Sequence, residues 1–147
     1  MTSRQPNRRT IDDLLAEARA GFVRVEPADL AGEIAGGALV VDIRPDRNRV
    51  AEGHLDGAVV IDRLVLEWRL DPASEHRIPE LDDGDGDGDG DSYDRRIIVM
   101  CNEGYASSLA VATLHEIGLR RATDLAGGFR AVCAQGLGGA VSPSGGE

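Results

Sequence analysis

Cys101 is the residue of this chain best placed for covalent chemistry. It follows Ile97-Ile98-Val99-Met100, four apolar residues that read as a short buried strand. It precedes a polar, glycine-containing stretch, Asn102-Glu103-Gly104-Tyr105-Ala106. From Ser107 onward, Leu109, Ala110, Thr113, Leu114 and Ile117 recur at helical spacing, up to a stop at Gly118. The order strand, cysteine, tight loop, helix places a thiol at the carboxyl end of a strand, where open α/β sheets bind ligands. The adjoining helix end offers unpaired N–H groups and partial positive charge, and both favour an anionic sulfur. Such a sulfur is a nucleophile able to carry a covalent intermediate. A free cysteine is ordinarily a small buried hydrophobe. The polar loop that follows Cys101 is what sets it apart from that reading.

The elements that must hold this loop are legible on either side of it. Thr10, with Asp13 three residues on, forms a variant capping box for a helix over Ile11, Leu14, Leu15 and Ala18 that ends near Gly21. Phe22-Val23-Arg24-Val25 reads as a short strand. Pro27 opens a helix with Leu30, Ile34 and Ala35 on its apolar face and Gly36-Gly37 as its stop. Ala38-Leu39-Val40-Val41 is a continuous apolar run, the mark of a strand covered on both faces. A one-turn helix around Arg49–Glu52 and a turn at Gly53-His54-Leu55-Asp56-Gly57 precede the strand Ala58–Ile61. Leu64, Leu66, Trp68 and Leu70 belong to a short helix, and residues 71–81 read as irregular. After the cysteine loop come a strand at Ala122–Leu125 and, past Gly127-Gly128, a last helix with Phe129, Val132 and Cys133 as its apolar positions. Strands alternate with helices, so the expected class is α/β, a mainly parallel sheet flanked by helices on both faces.

Composition narrows the function. The 147 residues suit one domain with one core, built from Leu, Ile, Val and Ala because aromatics are only 3%. A net charge of −10 argues against nucleic acid or an anionic membrane as partner, and no apolar run approaches a membrane span. The Arg-bearing start, Met1–Thr10, has no apolar run behind it and does not read as a secretory signal. Two cysteines, Cys101 and Cys133, make no disulfide framework, so a reducing cytoplasm is expected. The expected organisation is a tail and short helix over 1–21, a domain over 22–137 and a flexible Gly- and Ser-rich tail over 138–147. An acidic Asp/Gly-rich insertion at 82–92 is expected to be disordered. Asp85–Gly90 matches the start of a calcium loop, but the twelfth position is Arg96 where a bidentate Glu is required, and a strand follows. No metal or organic cofactor is expected.

Four stretches taken together resemble a family. Val41-Asp42-Ile43-Arg44, Gly53-His54-Leu55-Asp56-Gly57-Ala58, Ile98–Ser107 and Leu125-Ala126-Gly127-Gly128-Phe129-Arg130-Ala131 are similar, in order and spacing, to the successive signatures of single-domain rhodaneses. The resemblance covers residues 22–137. It implies a sulfurtransferase: Cys101 takes the outer sulfur of a donor such as thiosulfate or a persulfide, holds it as a persulfide and passes it to cyanide or a thiol. By the same resemblance, the backbone N–H groups of Asn102, Glu103, Gly104, Tyr105, Ala106 and Ser107 cradle the persulfide. Asp42 and Arg44 frame the pocket by hydrogen bonding, with a plain ion pair as the alternative. His54 holds its turn by hydrogen bonds. The implied partners are a small sulfur donor and a thiol acceptor, with a protein persulfide as a further donor.

The chain also departs from that pattern. Many active rhodaneses carry Arg or Lys inside the loop to bind anionic thiosulfate. This loop has none, and Glu103 would repel a dianion if it pointed inward. Efficient thiosulfate turnover is therefore less expected than persulfide formation. Asp56 stands where Pro is frequent, and Val132 where Trp is frequent. Cys133 reads as core rather than as a resolving thiol. Related cysteine phosphatases close their loop with an Arg that clamps the oxyanion, and no Arg or Lys lies between Cys101 and Arg120. A third reading is a non-catalytic persulfide carrier or binding module.

Overall fold

The computed structural model describes residues 8–82 and 91–136 and the backbone of 141–142. Thr10 opens α1 (Ile11–Arg19) with the expected capping box: its Oγ1 accepts from the Asp13 N–H at 3.0 Å, and the Asp13 carboxylate accepts from the Thr10 N–H at 2.9 Å. Leu15 is the residue of α1 that is buried. Pro27–Asp29 forms a 3-10 turn that leads into α2 (Leu30–Ala35). Next come β1 (Leu39–Asp42), α3 (Asp46–Glu52), β2 (His54–Leu55), β3 (Val59–Val60) and α4 (Leu66–Leu70). The chain continues through β4 (Ile97–Met100), α5 (Ala106–Ile117), β5 (Ala122–Asp124), α6 (Gly128–Ala134) and β6 (Val141–Ser142). Gly118 ends α5 in the left-handed conformation, at φ +113°.

Among the described residues, four strands form a parallel sheet in the order β3-β1-β4-β5, and β2 pairs antiparallel with β6. Every residue of β1 and β4 is buried. Their side chains alternate between two cores. Leu39, Val41, Ile97 and Val99 pack with Leu66, Leu70, Val111 and Leu114 of α4 and α5. Val40, Ile98 and Met100 pack with Leu30 of α2 and with Phe129 and Val132 of α6. Covering both faces is why these strands read as unbroken apolar runs. Within the 63–70 segment only one side faces the sheet, so Leu66 and Leu70 are buried while Leu64 and Trp68 are exposed.

Three expectations need adjustment. Phe22–Val25 is not a strand: it makes one parallel bridge, Val25 to Leu125. The Val23 carbonyl is taken instead by the Thr123 hydroxyl, at 2.7 Å, which ends the ladder. Cys133 is exposed, not core. On a helix as short as α6 the buried stripe is one residue wide per turn, and Phe129 and Val132 fill it. Residues 71–81 are not wholly irregular, since Pro79–Asp82 is a 3-10 turn. The Asp/Gly stretch, including the calcium-like Asp85–Gly90, lies outside the described residues except at its ends, where Asp91 caps a 3-10 turn at Ser92–Asp94. Of the tail over 138–147, the described part is Val141–Ser142, whose backbone pairs with β2. Among the described residues no helix is long and apolar enough to cross a membrane.

One ion pair fastens α2 to the start of β4. Arg96 donates from Nε and Nη2 to the two Glu33 oxygens, both at 3.0 Å. That hydrogen bonding holds the Glu33 carboxyl below its ordinary 4.5, against the opposing effect of burial. A carboxyl made more acidic by folding adds stability that is complete above its unfolded value and is lost as pH falls through its folded one. Glu33→Gln is therefore expected to destabilise the protein at pH 7 and to lose that effect as the pH falls below about 4.5. Urea denaturation of both proteins at pH 7 and pH 3.5 checks this; an equal difference at both values would contradict it.

Candidate active site

Parallel pairing sets the position of the loop. Asp42 lies in register with Met100, and the Ile43 N–H donates to the Met100 carbonyl at 3.0 Å, so both strands deliver their next residues to one end of the sheet. Those residues are Ile43-Arg44 and Cys101. Cys101 is buried, at 8% exposure. Its Sγ accepts from the Gly104 N–H at 3.1 Å and from the Ser107 N–H at 3.4 Å. The loop thus curls its amides around the sulfur, the arrangement that stabilises an anion. The outward carbonyls are held by α6: Phe129 N–H donates to Cys101 O at 2.9 Å and Arg130 N–H to Asn102 O at 3.1 Å. Glycine is required at two points. Gly104 has φ +87°, and a Cβ there would lie 2.7 Å from Gly127 N. Gly128 has φ +66°, and a Cβ there would lie 2.5 Å from Cys101 O.

Behind the sulfur stands a buried polar group of which sequence reasoning singled out only Ser107. The Cys101 thiol donates to Ser107 Oγ at 3.3 Å. Ser107 and Ser108 both donate to Asp124 Oδ2, at 2.8 and 2.7 Å. Asp124 is fully buried and also takes Arg24 as a fork, Nε to Oδ1 at 2.8 Å and Nη2 to Oδ2 at 3.0 Å. Arg24 and Arg19 each donate through Nη2 to the Gly104 carbonyl, at 2.7 and 2.8 Å. Arg19 Nε donates to Ser108 Oγ at 2.9 Å, and its guanidinium lies 5.6 Å from the Tyr105 ring centroid. The loop itself contains no cation, yet two guanidinium groups reach it from the N-terminal segment. A carboxylate inside a short buried strand, as Asp124 is in β5, was the sequence signal that could have marked this group.

On the opposite side, Arg44 is buried and forks onto Asp42, with Nη2 at 2.9 Å from Oδ2. It also donates to Gly53 O at 3.0 Å and to Asn102 Oδ1 at 3.4 Å, and its Cζ sits 3.9 Å from the Phe129 ring centroid. Asp42 and Arg44 thus form an ion pair and also touch the loop through Asn102. Asn102 donates to Glu52 at 3.2 Å. Arg130 joins Glu52 at 3.1 Å and Glu103 at 2.7 Å. Arg130 foremost holds the Glu52 carboxyl below its ordinary range. Glu103 is exposed on the rim and neutralised by Arg130. Tyr105 and Ala106 are exposed at the mouth of the loop. His54 lies 3.6 Å from Asp56 within its own turn, and no hydrogen bond among the described residues joins it to the loop. No group of three or more His, Cys, Asp or Glu that could hold a metal is present among the described residues. A cavity of about 520 Å³, lined among others by Val23, Glu33, Arg96 and Arg121, opens at the other end of the sheet, and Cys101 does not line it.

The model of the rhodanese-like domain family matches residues 26–135. Among solved structures, a protein of unknown function and possible tyrosine phosphatase from Rhodopseudomonas palustris is 28% identical. The likeness covers 92% of this chain and 97% of that one, at a TM-score of 0.73. A rhodanese homolog from Thermus thermophilus is 25% identical over 74% of this chain and 99% of its own, at a TM-score of 0.51. A thiosulfate sulfurtransferase from Pseudomonas aeruginosa, 22% identical, shares the fold over 77% of this chain and 18% of its own, at a TM-score of 0.54. No curated protein matches.

Proposed function

The chain belongs to the rhodanese-like domain family, and on that premise we propose that it is a sulfurtransferase working through a persulfide on Cys101. The observation that carries this reading is the sulfur's own environment: Sγ faces the amides of Gly104 and Ser107, at 3.1 and 3.4 Å. In the first step the Cys101 thiolate attacks the outer sulfur of the donor. The new bond is Sγ–S; the bond that breaks joins that sulfur to the rest of the donor, which leaves as sulfite from thiosulfate or as a thiolate from a persulfide. In the second step an acceptor thiolate attacks the terminal sulfur and leaves with it, returning Cys101 as a thiolate. Each step exchanges one S–S bond for another, so no oxidant is consumed, and one difficult transfer becomes two easier ones.

The loop amides supply the charge stabilisation for both anionic forms. Asp42 and Arg44 act by fixing Asn102 and the adjoining turn. His54 serves its own turn. At the rim Arg130 is taken up by Glu103, and Arg19 and Arg24 are held on the Gly104 carbonyl, which favours a persulfide donor, small or on another protein, over thiosulfate. The two free cysteines fit a reducing compartment such as the cytoplasm. A tyrosine phosphatase finds less support. Phosphoryl transfer needs an Arg fork on the phosphate, and here Ser107 stands six residues after Cys101, while Arg19 Nε and Nη2 are engaged by Ser108 and Gly104.

Intact-mass measurement of the reduced protein after exposure to thiosulfate, and separately to a small persulfide, tests the proposal. The expected result is a gain of one sulfur atom from the persulfide, retained in Cys133→Ser and absent in Cys101→Ser. No added sulfur from either donor would overturn sulfur transfer and leave a binding module on this fold.

A further inference from the structure

Among the described residues, the charged groups around the loop are paired with opposite charges, with one exception. Arg24 pairs with Asp124, Arg44 with Asp42, and Arg130 with Glu52 and Glu103. His54 faces Asp56, and His115 of α5 contacts the Ala122 carbonyl and the Phe22 ring. Arg19 is different. Its contacts are the Ser108 hydroxyl, the Gly104 carbonyl and the Tyr105 ring, all neutral, and it has no carboxylate partner among the described residues. It lies outside residues 26–135, which the family model matches.

The hydrogen bonds behind the sulfur show why an extra charge matters. Ser107 has one hydroxyl proton, and Asp124 takes it at 2.8 Å. When Cys101 is a thiol, its own S–H fills the contact to Ser107 Oγ at 3.3 Å. When the sulfur is anionic that proton is gone, and the sulfur faces an oxygen lone pair with a carboxylate beyond it. The two amide contacts must then be reinforced. The Gly104 carbonyl bonded by Arg19 belongs to the residue whose N–H meets Sγ at 3.1 Å, so Arg19 fixes the residue that contacts the sulfur and brings a positive charge to it.

We propose that Arg19, brought to the loop by α1, is the positioning residue that stabilises the anionic Cys101 sulfur in place of the cation the loop lacks. Its consequence for catalysis rests on the sulfur-transfer reading; its effect on the sulfur does not. The test uses the full chain carrying Cys133→Ser, so that Cys101 is the reporting thiol. Alkylation by iodoacetamide, a neutral reagent, is followed at pH 7 and pH 9.5 in the parent, Arg19→Gln, Arg19→Met and Arg19→Lys. Both neutral variants are expected to react roughly three- to tenfold more slowly at pH 7, and at the parental rate at pH 9.5, above the ordinary thiol value of about 8.5. Arg19→Lys should recover most of the pH 7 rate. Equal rates at pH 7, or slowing by the same factor at both pH values in both neutral variants, would overturn the proposal, the latter because a distorted loop would block access at any pH. Sulfur loading by intact mass runs alongside: its absence in the parent would sink sulfur transfer while leaving the alkylation comparison to decide on Arg19.

Discussion

Asp124→Ala is expected to destabilise the protein by about 3–5 kcal/mol, the cost of removing one partner of a buried ion pair. Asp124 is fully buried and accepts four hydrogen bonds, two from Arg24 and one each from Ser107 and Ser108. Without it a guanidinium whose side chain is 21% exposed faces two hydroxyls and no counter-charge. A loss of that size is a large share of the roughly 5–15 kcal/mol that holds a domain folded. Ser108→Ala, which removes the bond to Asp124 and the one from Arg19 but leaves the Arg24–Asp124 ion pair intact, should cost only about 1–2 kcal/mol. Urea denaturation of the three proteins gives both numbers. Near-equal losses would mean that the carboxylate contributes little beyond its bond to Ser108. Sulfur loading should fall with Asp124→Ala even below the unfolding transition, because Ser107 and Ser108 form the first turn of α5, on which the cysteine loop closes.

The second large effect is expected at Gly128. A Cβ there would meet backbone, 2.5 Å from Cys101 O and 2.6 Å from the Asn102 carbonyl carbon, and neither can swing away as a side chain would. The φ of +66° adds a left-handed conformation that costs an L-residue about 1–2 kcal/mol, and the overlap adds about 1–3 kcal/mol more. To relieve the overlap, α6 must retreat from the loop, which stretches the Phe129 and Arg130 amide contacts to Cys101 O and Asn102 O. Gly128→Ala should therefore lower both stability and sulfur loading. Gly57→Ala is the control: φ is +85°, but the space around its Cβ is open, so only the conformational cost applies. Thermal denaturation and intact mass separate the two. Equal Tm losses in both variants would show that the close approach of α6 to the loop contributes nothing.

These expectations rest on features of two kinds. Some are written locally. The Thr10–Asp13 cap, the stop at Gly118 and the apolar runs of β1 and β4 are interactions among neighbours, or consequences of burial on both faces, so composition and spacing disclose them. Four short stretches in order were enough for the family, and Cys101 stood out as the candidate nucleophile because strand, cysteine, loop and helix are contiguous. The strand expected at Phe22–Val25 failed because its apolar residues are real but its hydrogen-bond partners are not local. Thr123, 100 residues away, took the Val23 carbonyl. Cys133 was misplaced because a seven-residue helix buries too few positions for its period to settle which face is inward.

The charge around the sulfur was decided by the tertiary structure alone. From the loop's composition the site looked free of cations and burdened with Glu103. Folding brings Arg19 and Arg24 to Gly104 across 85 and 80 residues, seats Asp124 behind Ser107, and sets Arg130 against Glu103 across 27. No periodicity carries such information, because a guanidinium reaches its partner wherever chain topology leaves it, and neutralisation depends on distance in space. The sequence by itself disclosed the fold class and the alternation of its main strands and helices, and it marked Cys101 as the candidate nucleophile. Only the packing of α1, the Phe22–Val25 segment, β5 and α6 around the loop determined which charges surround the Cys101 sulfur.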